Sequence, residues 1–125
     1  MRIVFDIDGV IATGTEETVY SEKAGWDYSK CTVIPGMRIL LQKLKEEGHY
    51  IILHTARWKN DKIQTFNWLK LNNIPFNELH MGKPSADLYV DDRGFKYDNN
   101  INKLKEHINA LKEKLVKRTP ENLIT

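Results

Sequence analysis

The chain has 125 residues, which is enough for one domain with a single hydrophobic core. With 41% hydrophobic and 29% charged residues it has the composition of an ordinary globular protein, and its net charge of +2 is too small to predict nucleic-acid binding. No apolar segment is long enough to predict a transmembrane helix or a signal peptide. Cys31 is the single cysteine, so no intrachain disulfide can form. We therefore expect a cytoplasmic protein without a membrane partner.

Four short apolar runs predict β-strands, at residues 2–7, 49–54, 78–81 and 88–90. The first run is almost continuously apolar, which is typical of a buried central strand in a parallel sheet. Residues 11–34 fit neither strand nor helix periodicity and are predicted to form a long loop over or beside a functional site.

Three segments have the apolar spacing of helices. The first, residues 37–47, carries an apolar stripe and ends before Gly48, where a left-handed residue is favoured. The second, residues 61–71, is expected to face inward with Ile63, Phe66, Leu69 and Trp68. The third begins after a cap at Asn99-Asn100, and its apolar seam suits either the sheet or another subunit. Alternating strands and helices predict one α/β domain over residues 1–118, with a mainly parallel sheet and a frayed tail at 119–125.

Two carboxylates, Asp6 and Asp8, end the first predicted strand. Open α/β sheets bind ligands at the carboxyl ends of their strands. Burying two like charges is costly without a counter-ion, and a divalent cation with a phosphate group would supply one. The sequence therefore indicates phosphate chemistry at this strand end.

Similar groups follow the later strands. Thr55 follows the second strand, Lys83 lies in a Gly-Lys-Pro segment, and Asp91-Asp92 close the fourth strand. In a parallel sheet these strand ends share one edge, where they would supply the acids, hydroxyl and ammonium that phosphoryl transfer needs.

In this order, Asp6-x-Asp8-Gly-Val, Ile-Leu-His-Thr55, Lys83 and Leu-Tyr-Val-Asp91-Asp92 resemble the four motifs of the haloacid dehalogenase (HAD) superfamily of phosphatases. The resemblance covers three-quarters of the chain, from residue 2 to about residue 94. It implies a Rossmann-like three-layer sandwich and a Mg²⁺-dependent phosphomonoesterase.

The resemblance also implies a role for each motif residue. Asp6 would be the nucleophile that forms an aspartyl-phosphate, and Asp8 would be the general acid and base. Thr55 would bind a phosphoryl oxygen, and Lys83 would neutralise the transferring group. Mg²⁺ would be held by Asp6, Asp8, Asp91 and Asp92, with Asp8 contributing its backbone carbonyl. Hard oxygen ligands suit this ion.

The spacing between these motifs leaves no room for a cap domain, which would need about 50 residues or more. The chain is similar in this respect to capless members, whose site is open to a large substrate or covered by a neighbouring subunit, so a homo-oligomer is one expectation. The His-Thr-Ala-Arg and Gly-Lys-Pro segments look most like small bacterial phosphatases of capsular or surface polysaccharide synthesis. This implies a small phosphorylated substrate, a sugar phosphate.

Several alternatives stay open at this point. Arg57 and Trp58 are candidates for the substrate pocket, with a structural role equally expected for both. A polynucleotide phosphatase would use the same chemistry, although the modest charge argues against it. A non-catalytic phosphate-binding module is a further possibility. A receiver domain is excluded by motif order, because Thr55 precedes Lys83 and the second acidic pair comes last.

Overall fold

The computed structural model describes residues 1–14, 18–23 and 25–116 of the chain. It divides into two compact units, one spanning Met1–Tyr89 and one beginning at Val90. The predicted tail at 119–125 lies outside the described residues. Within the described ranges, none of the helices has the length and apolar character needed to cross a membrane.

The first unit contains short strands and two helices. The strands are β1 (Arg2–Phe5), β2 (Ala12–Thr13), β3 (Val19–Ser21), β4 (Gly25–Asp27), β5 (Thr32–Val33), β6 (Tyr50–His54) and β7 (Glu78–His80). The helices are α1 (Met37–Glu46) and α2 (Lys62–Leu71), and α3 (Ile101–Val116) belongs to the second unit.

The largest sheet is parallel, with strand order β1-β6-β7. The predicted α/β class and parallel sheet are therefore confirmed. The prediction that the first strand is central is wrong, because β6 takes that place and β1 pairs with β6 alone among the described residues. Val4 on β1 is accordingly 58% exposed. An apolar run shows that a strand is favoured, and it does not reveal how many neighbours that strand has.

The predicted fourth strand at residues 88–90 does not form in the described part of the chain. Leu88 is 76% exposed and Val90 is 92% exposed. The apolar run is only three residues long, and it is bounded by Asp87 on one side and by the charged pair Asp91-Asp92 on the other. The local sequence favours an extended backbone at residues 88–90, but three apolar residues are too few to predict that this segment pairs with another strand.

The segment between β1 and α1, predicted as a loop, contains two small antiparallel pairs. β2 pairs with β5, and the hairpin of β3 and β4 lies between them in sequence. Tyr20 and Trp26 are directly opposite each other in this hairpin. Two- and three-residue strands are too short to produce a periodic pattern, which explains why the sequence did not indicate them.

Helix α1 follows the prediction closely. Its buried residues are Met37, Leu40, Leu41 and Leu44. Burying an apolar side chain of this size stabilises the folded state by about 1.5–3 kcal/mol relative to leaving it exposed. The helix ends where Gly48 adopts a φ of 89°, and the amide of His49 then donates to the carbonyl of Leu44 at 3.0 Å.

Helix α2 has the predicted position but a different buried face. Thr65, Trp68 and Leu69 are buried, so Trp68 and Leu69 were predicted correctly. Ile63 is 76% exposed and Phe66 is 41% exposed, so both were predicted wrongly. The inward face of α2 is partly polar because Thr65 accepts a hydrogen bond from the buried Arg57. A prediction that places only apolar residues inward therefore chooses the wrong face of this helix.

In the second unit, the predicted cap of α3 is present. The side-chain oxygen of Asn100 accepts hydrogen bonds from the amides of Asn102 and Lys103 at 3.1 and 3.2 Å. Leu104 and Ile108 are buried, as their spacing predicts.

Candidate functional site

The turn after β1 positions the two acidic residues. The carbonyl of Ile7 accepts hydrogen bonds from the amides of Val10, Ile11 and Ala12 at 3.2, 2.8 and 2.9 Å. The side chain of Ile7 is fully buried. Because this central residue is anchored both by its backbone and by its side chain, Asp6 and Asp8 on either side of it are held in fixed places.

Asp6 faces Lys83. The Nζ of Lys83 lies 3.9 Å from Oδ2 of Asp6, and the two side chains are 23% and 40% exposed. The amide of Ile7 donates to Oδ1 of Asp6 at 3.0 Å. Burial raises the pKa of Asp6, and the nearby Lys83 ammonium offsets this only in part. The result is an accessible carboxylate beside a cation, at the edge of the sheet where the sequence predicted a site.

Asp8 makes a different and tighter contact. Oδ1 and Oδ2 of Asp8 accept hydrogen bonds from the guanidinium of Arg57 at 2.6 and 3.0 Å. The Arg57 side chain is 1% exposed, donates to Oγ1 of Thr65 at 3.2 Å and lies 3.7 Å from the ring centroid of Tyr28. Burial raises the pKa of Tyr28 to about 12, so this ring stays a neutral phenol. Of the two roles predicted for Arg57, this geometry favours the structural one. The guanidinium orients Asp8 by donating a hydrogen bond to each of its carboxylate oxygens.

Thr55 lies beneath the surface. It is fully buried, and its hydroxyl oxygen accepts a hydrogen bond from the amide of Arg57 at 3.2 Å. Its own amide donates to the carbonyl of His80 at 3.0 Å. The backbone amide and the hydroxyl oxygen of Thr55 therefore both make hydrogen bonds within the protein, and the buried side chain lies below the surface of the site.

Backbone hydrogen bonds extend the β6–β7 pairing past the ends of the strands. The amide of Gly82 donates to the carbonyl of Arg57 at 3.0 Å, and the amide of Lys83 donates to the carbonyl of Thr55 at 2.8 Å. Gly82 has a φ of 76°, which glycine adopts without strain. These bonds bring Lys83 from a distant part of the sequence to the end of β6.

Trp58, the second candidate substrate contact, is 53% exposed. Its ring centroid lies 5.9 Å from that of Tyr20 and 6.2 Å from that of Trp26. The three rings form a surface group that we call the aromatic cluster. Half-exposed rings grouped in this way are accessible to a ligand.

Asp91 and Asp92 belong to the second unit and are exposed there. Oδ1 of Asp91 accepts a hydrogen bond from the amide of Arg93 at 2.6 Å. Across residues 1–14, 18–23 and 25–116, no three His, Cys, Asp or Glu side chains are grouped so as to hold a metal ion.

Three residues of the site were not predicted from the sequence. Tyr28 stacks on Arg57, Thr65 bonds it, and Gln64 bonds the backbone of β4. Tyr28 lies in a segment without periodicity, so no local signal could have identified it. Gln64 and Thr65 are two adjacent polar residues in the first turn of α2. A polar pair at this position indicates that the inward face of the helix bonds other polar groups, here Arg57 and the backbone of Trp26.

Comparison of the chain with models of known protein families, with curated proteins and with solved structures finds no match. The geometry of the described residues and the sequence motifs therefore carry the functional argument.

Proposed function

We propose that the protein is a phosphomonoesterase of the HAD type that acts on a small phosphorylated metabolite, a sugar phosphate. The observation that carries the proposal is the pairing of Asp6 with Lys83 at the carboxyl edge of a parallel sheet. Two residues far apart in sequence, each predicted independently from a strand end, lie 3.9 Å apart and remain accessible. A Rossmann-like sandwich is the architecture that we propose with this function.

In the proposed reaction an oxygen of Asp6 attacks the phosphorus of the substrate. A bond from Asp6 to phosphorus forms while the bond from phosphorus to the leaving oxygen breaks, and this oxygen takes a proton from Asp8, which must enter the step in its protonated form. Water then attacks the aspartyl-phosphate, Asp8 accepts a proton from it, and inorganic phosphate leaves with Asp6 regenerated. Lys83 balances the negative charge on the transferring group throughout.

The accessible carboxylate of Asp6 and the backbone carbonyl of Asp8 are hard oxygen donors of the kind that Mg²⁺ prefers. When bound, this ion would neutralise phosphate charge. The contribution of Asp91 and Asp92 to a magnesium site stays a prediction from their motif.

A second candidate function is phosphate binding without turnover. The contacts of Asp8 favour it, because both carboxylate oxygens of the predicted general acid accept hydrogen bonds from the Arg57 guanidinium. A module of this kind would bind a phosphorylated ligand at Asp6 and Lys83 and release no phosphate.

Phosphate release at neutral pH tests both candidates. The panel holds sugar phosphates, nucleotides and a 3′-phosphorylated oligonucleotide, each with Mg²⁺ and with a chelator. We expect release from sugar phosphates that needs Mg²⁺ and is lost in Asp6→Asn. Glu46→Gln, which removes an exposed charge on α1, is the matched control. Binding without release by any substrate would select the second candidate, and preferential release from the oligonucleotide would select a polynucleotide phosphatase.

A further inference from the structure

The aromatic cluster of Tyr20, Trp26 and Trp58 has no role in the chemistry described above. Tyr20 is 47% exposed and Trp58 is 53% exposed, although large aromatic side chains gain most from burial. We propose that this cluster binds the sugar ring of the substrate and thereby selects the leaving group. The inference rests on the proposed phosphatase function and adds the residues that determine its specificity.

The cluster is held in place by Gln64 on α2. Nε2 of Gln64 donates to the carbonyl of Trp26 at 2.8 Å, and Oε1 of Gln64 accepts from the amide of Tyr28 at 2.6 Å. Tyr28 in turn stacks on Arg57. The hairpin that carries Tyr20 and Trp26 is therefore cross-linked to the helix and to the arginine that orients Asp8. An array fixed in this way is preorganised for binding.

The cluster is also connected, through the backbone around Trp58, to the segment that carries Lys83. Trp58 directly follows Arg57, whose carbonyl accepts a hydrogen bond from the amide of Gly82. The side chain of Lys59 packs at Gly82, with its Cε 3.7 Å from the position that a Cβ would occupy there. The segment that carries Trp58 therefore packs against the segment that carries Lys83. A phosphate beside Lys83 would leave its organic part close to the rings.

The ring orientations favour a sugar over a nucleobase. The three pairs of rings are inclined at 55°, 75° and 72°, so no two of them face each other in parallel to sandwich a flat base. A sugar ring presents C–H groups that the negative face of an aromatic ring attracts, and inclined rings can contact several of them at once.

The buried carboxyl group of Asp61, next to the hairpin, also favours a sugar as the ligand. Asp61 is 6% exposed, and in the described part of the chain its Oδ2 has no hydrogen-bond partner. Its Oδ1 lies 3.6 Å from the position of a Cβ on Gly25, at the start of β4. A carboxylate is an acceptor only, so it favours a hydroxyl-bearing ligand over a second phosphate or another anion.

The test compares two substrates, a hexose phosphate and ethyl phosphate, which lacks a ring. We expect Trp58→Ala and Trp26→Ala to lower the ratio of their kcat/KM values by about tenfold or more, mainly through a higher KM for the sugar phosphate. Gln64→Met, which removes both hydrogen bonds to the hairpin, should change this ratio in the same direction. Phe66→Ala is the matched control, since it truncates a 41% exposed ring on the other face of α2.

The outcomes separate this inference from the proposed function. Turnover of both phosphates with an unchanged ratio in Trp58→Ala and Trp26→Ala overturns the inference and leaves the phosphatase. A nucleotide preference that these variants abolish overturns the choice of a sugar. If no substrate is turned over, tryptophan fluorescence is titrated with the hexose phosphate. Quenching that Trp26→Ala weakens supports the inference without catalysis, and absence of quenching overturns it.

Discussion

Asp6 and Asp8 lie two residues apart on the same turn, yet their surroundings differ. Asp6 is 40% exposed and has a lysine ammonium 3.9 Å away. Asp8 is 28% exposed, and both of its oxygens accept hydrogen bonds, at 2.6 and 3.0 Å, from the almost completely buried guanidinium of Arg57. One carboxylate is left accessible to a ligand, and the other is joined to the core of the protein.

The comparison shows how a single turn can present one accessible carboxylate and one carboxylate held by a buried side chain. The donors of Arg57 serve Asp8 and Thr65, and its flat face is covered by Tyr28. With its donors and its face engaged in this way, the guanidinium is placed to orient Asp8. The residue that the sequence offered as a substrate contact is better described as a positioning residue, and its neighbour Trp58 keeps the exposed place.

The largest expected effect is on the accessible side of this comparison. Asp6→Asn removes the proposed nucleophile, so we expect kcat to fall by a factor of about 10⁴ or more in a phosphate-release assay. The variant should bind substrate, because the amide keeps the shape of the carboxylate. Activity close to that of the wild type would exclude Asp6 as the nucleophile.

On the supporting side, the main effect should be on stability. Arg57→Ala removes two charge-assisted hydrogen bonds to Asp8 and opens a cavity beside Tyr28, so we expect a loss of about 3–5 kcal/mol in the free energy of unfolding. Urea unfolding followed by circular dichroism measures it. Arg93→Ala, at an exposed position, should change the same quantity by less than about 0.5 kcal/mol. A loss below about 1 kcal/mol for Arg57→Ala would contradict the buried ion pair.

Lys83→Met should lower activity strongly and stability only slightly, in contrast to Arg57→Ala. Removing the ammonium that faces the transferring phosphate should lower kcat/KM by about 10²–10³-fold. The free energy of unfolding should change by less than about 1 kcal/mol, since the pair with Asp6 is partly exposed. Lys62→Met serves as the control for loss of a positive charge. An equal loss of stability in Lys83→Met and Arg57→Ala would remove the distinction between the two carboxylates.

The smallest effect concerns the dependence of stability on pH. Burial raises the pKa of Asp6 above 3.8, so its ionised form is disfavoured in the folded state, and this cost is present at neutral pH. Asp6→Asn should therefore raise the melting temperature slightly at pH 7. The difference should shrink as the pH falls through the folded-state pKa and vanish below 3.8, where Asp6 is protonated in both the folded and the unfolded state. A difference that does not vary with pH would contradict this account.

Much of the fold could be predicted because its signals are local. Leu40, Leu41 and Leu44 identify the buried face of α1, and Asn100 identifies the start of α3. The place of β1 at an edge of the sheet could not be predicted, because it depends on which other strands pair with it. The buried stripe of α2 was misjudged for a related reason, since Thr65 is placed inward by a distant arginine.

The site divides in the same way. Asp6 and Lys83 were found from their positions after two strand ends, and the structure brings them together. The bidentate contact between Asp8 and Arg57 spans 49 positions along the chain, and nothing in either residue's neighbourhood specifies it. Long-range pairing is set by tertiary packing, which periodicity does not record.

The two backbone hydrogen bonds that continue the pairing of β6 and β7 have a consequence for the motions of the site. The amides of Gly82 and Lys83 are tied to the segment that follows the central strand, at 3.0 and 2.8 Å. Their hydrogen exchange with solvent should be slow, at rates governed by opening of the sheet rather than by local loop fluctuations. The main chain at Lys83 is then expected to stay in place when a ligand binds, as is the hairpin that Gln64 joins to α2.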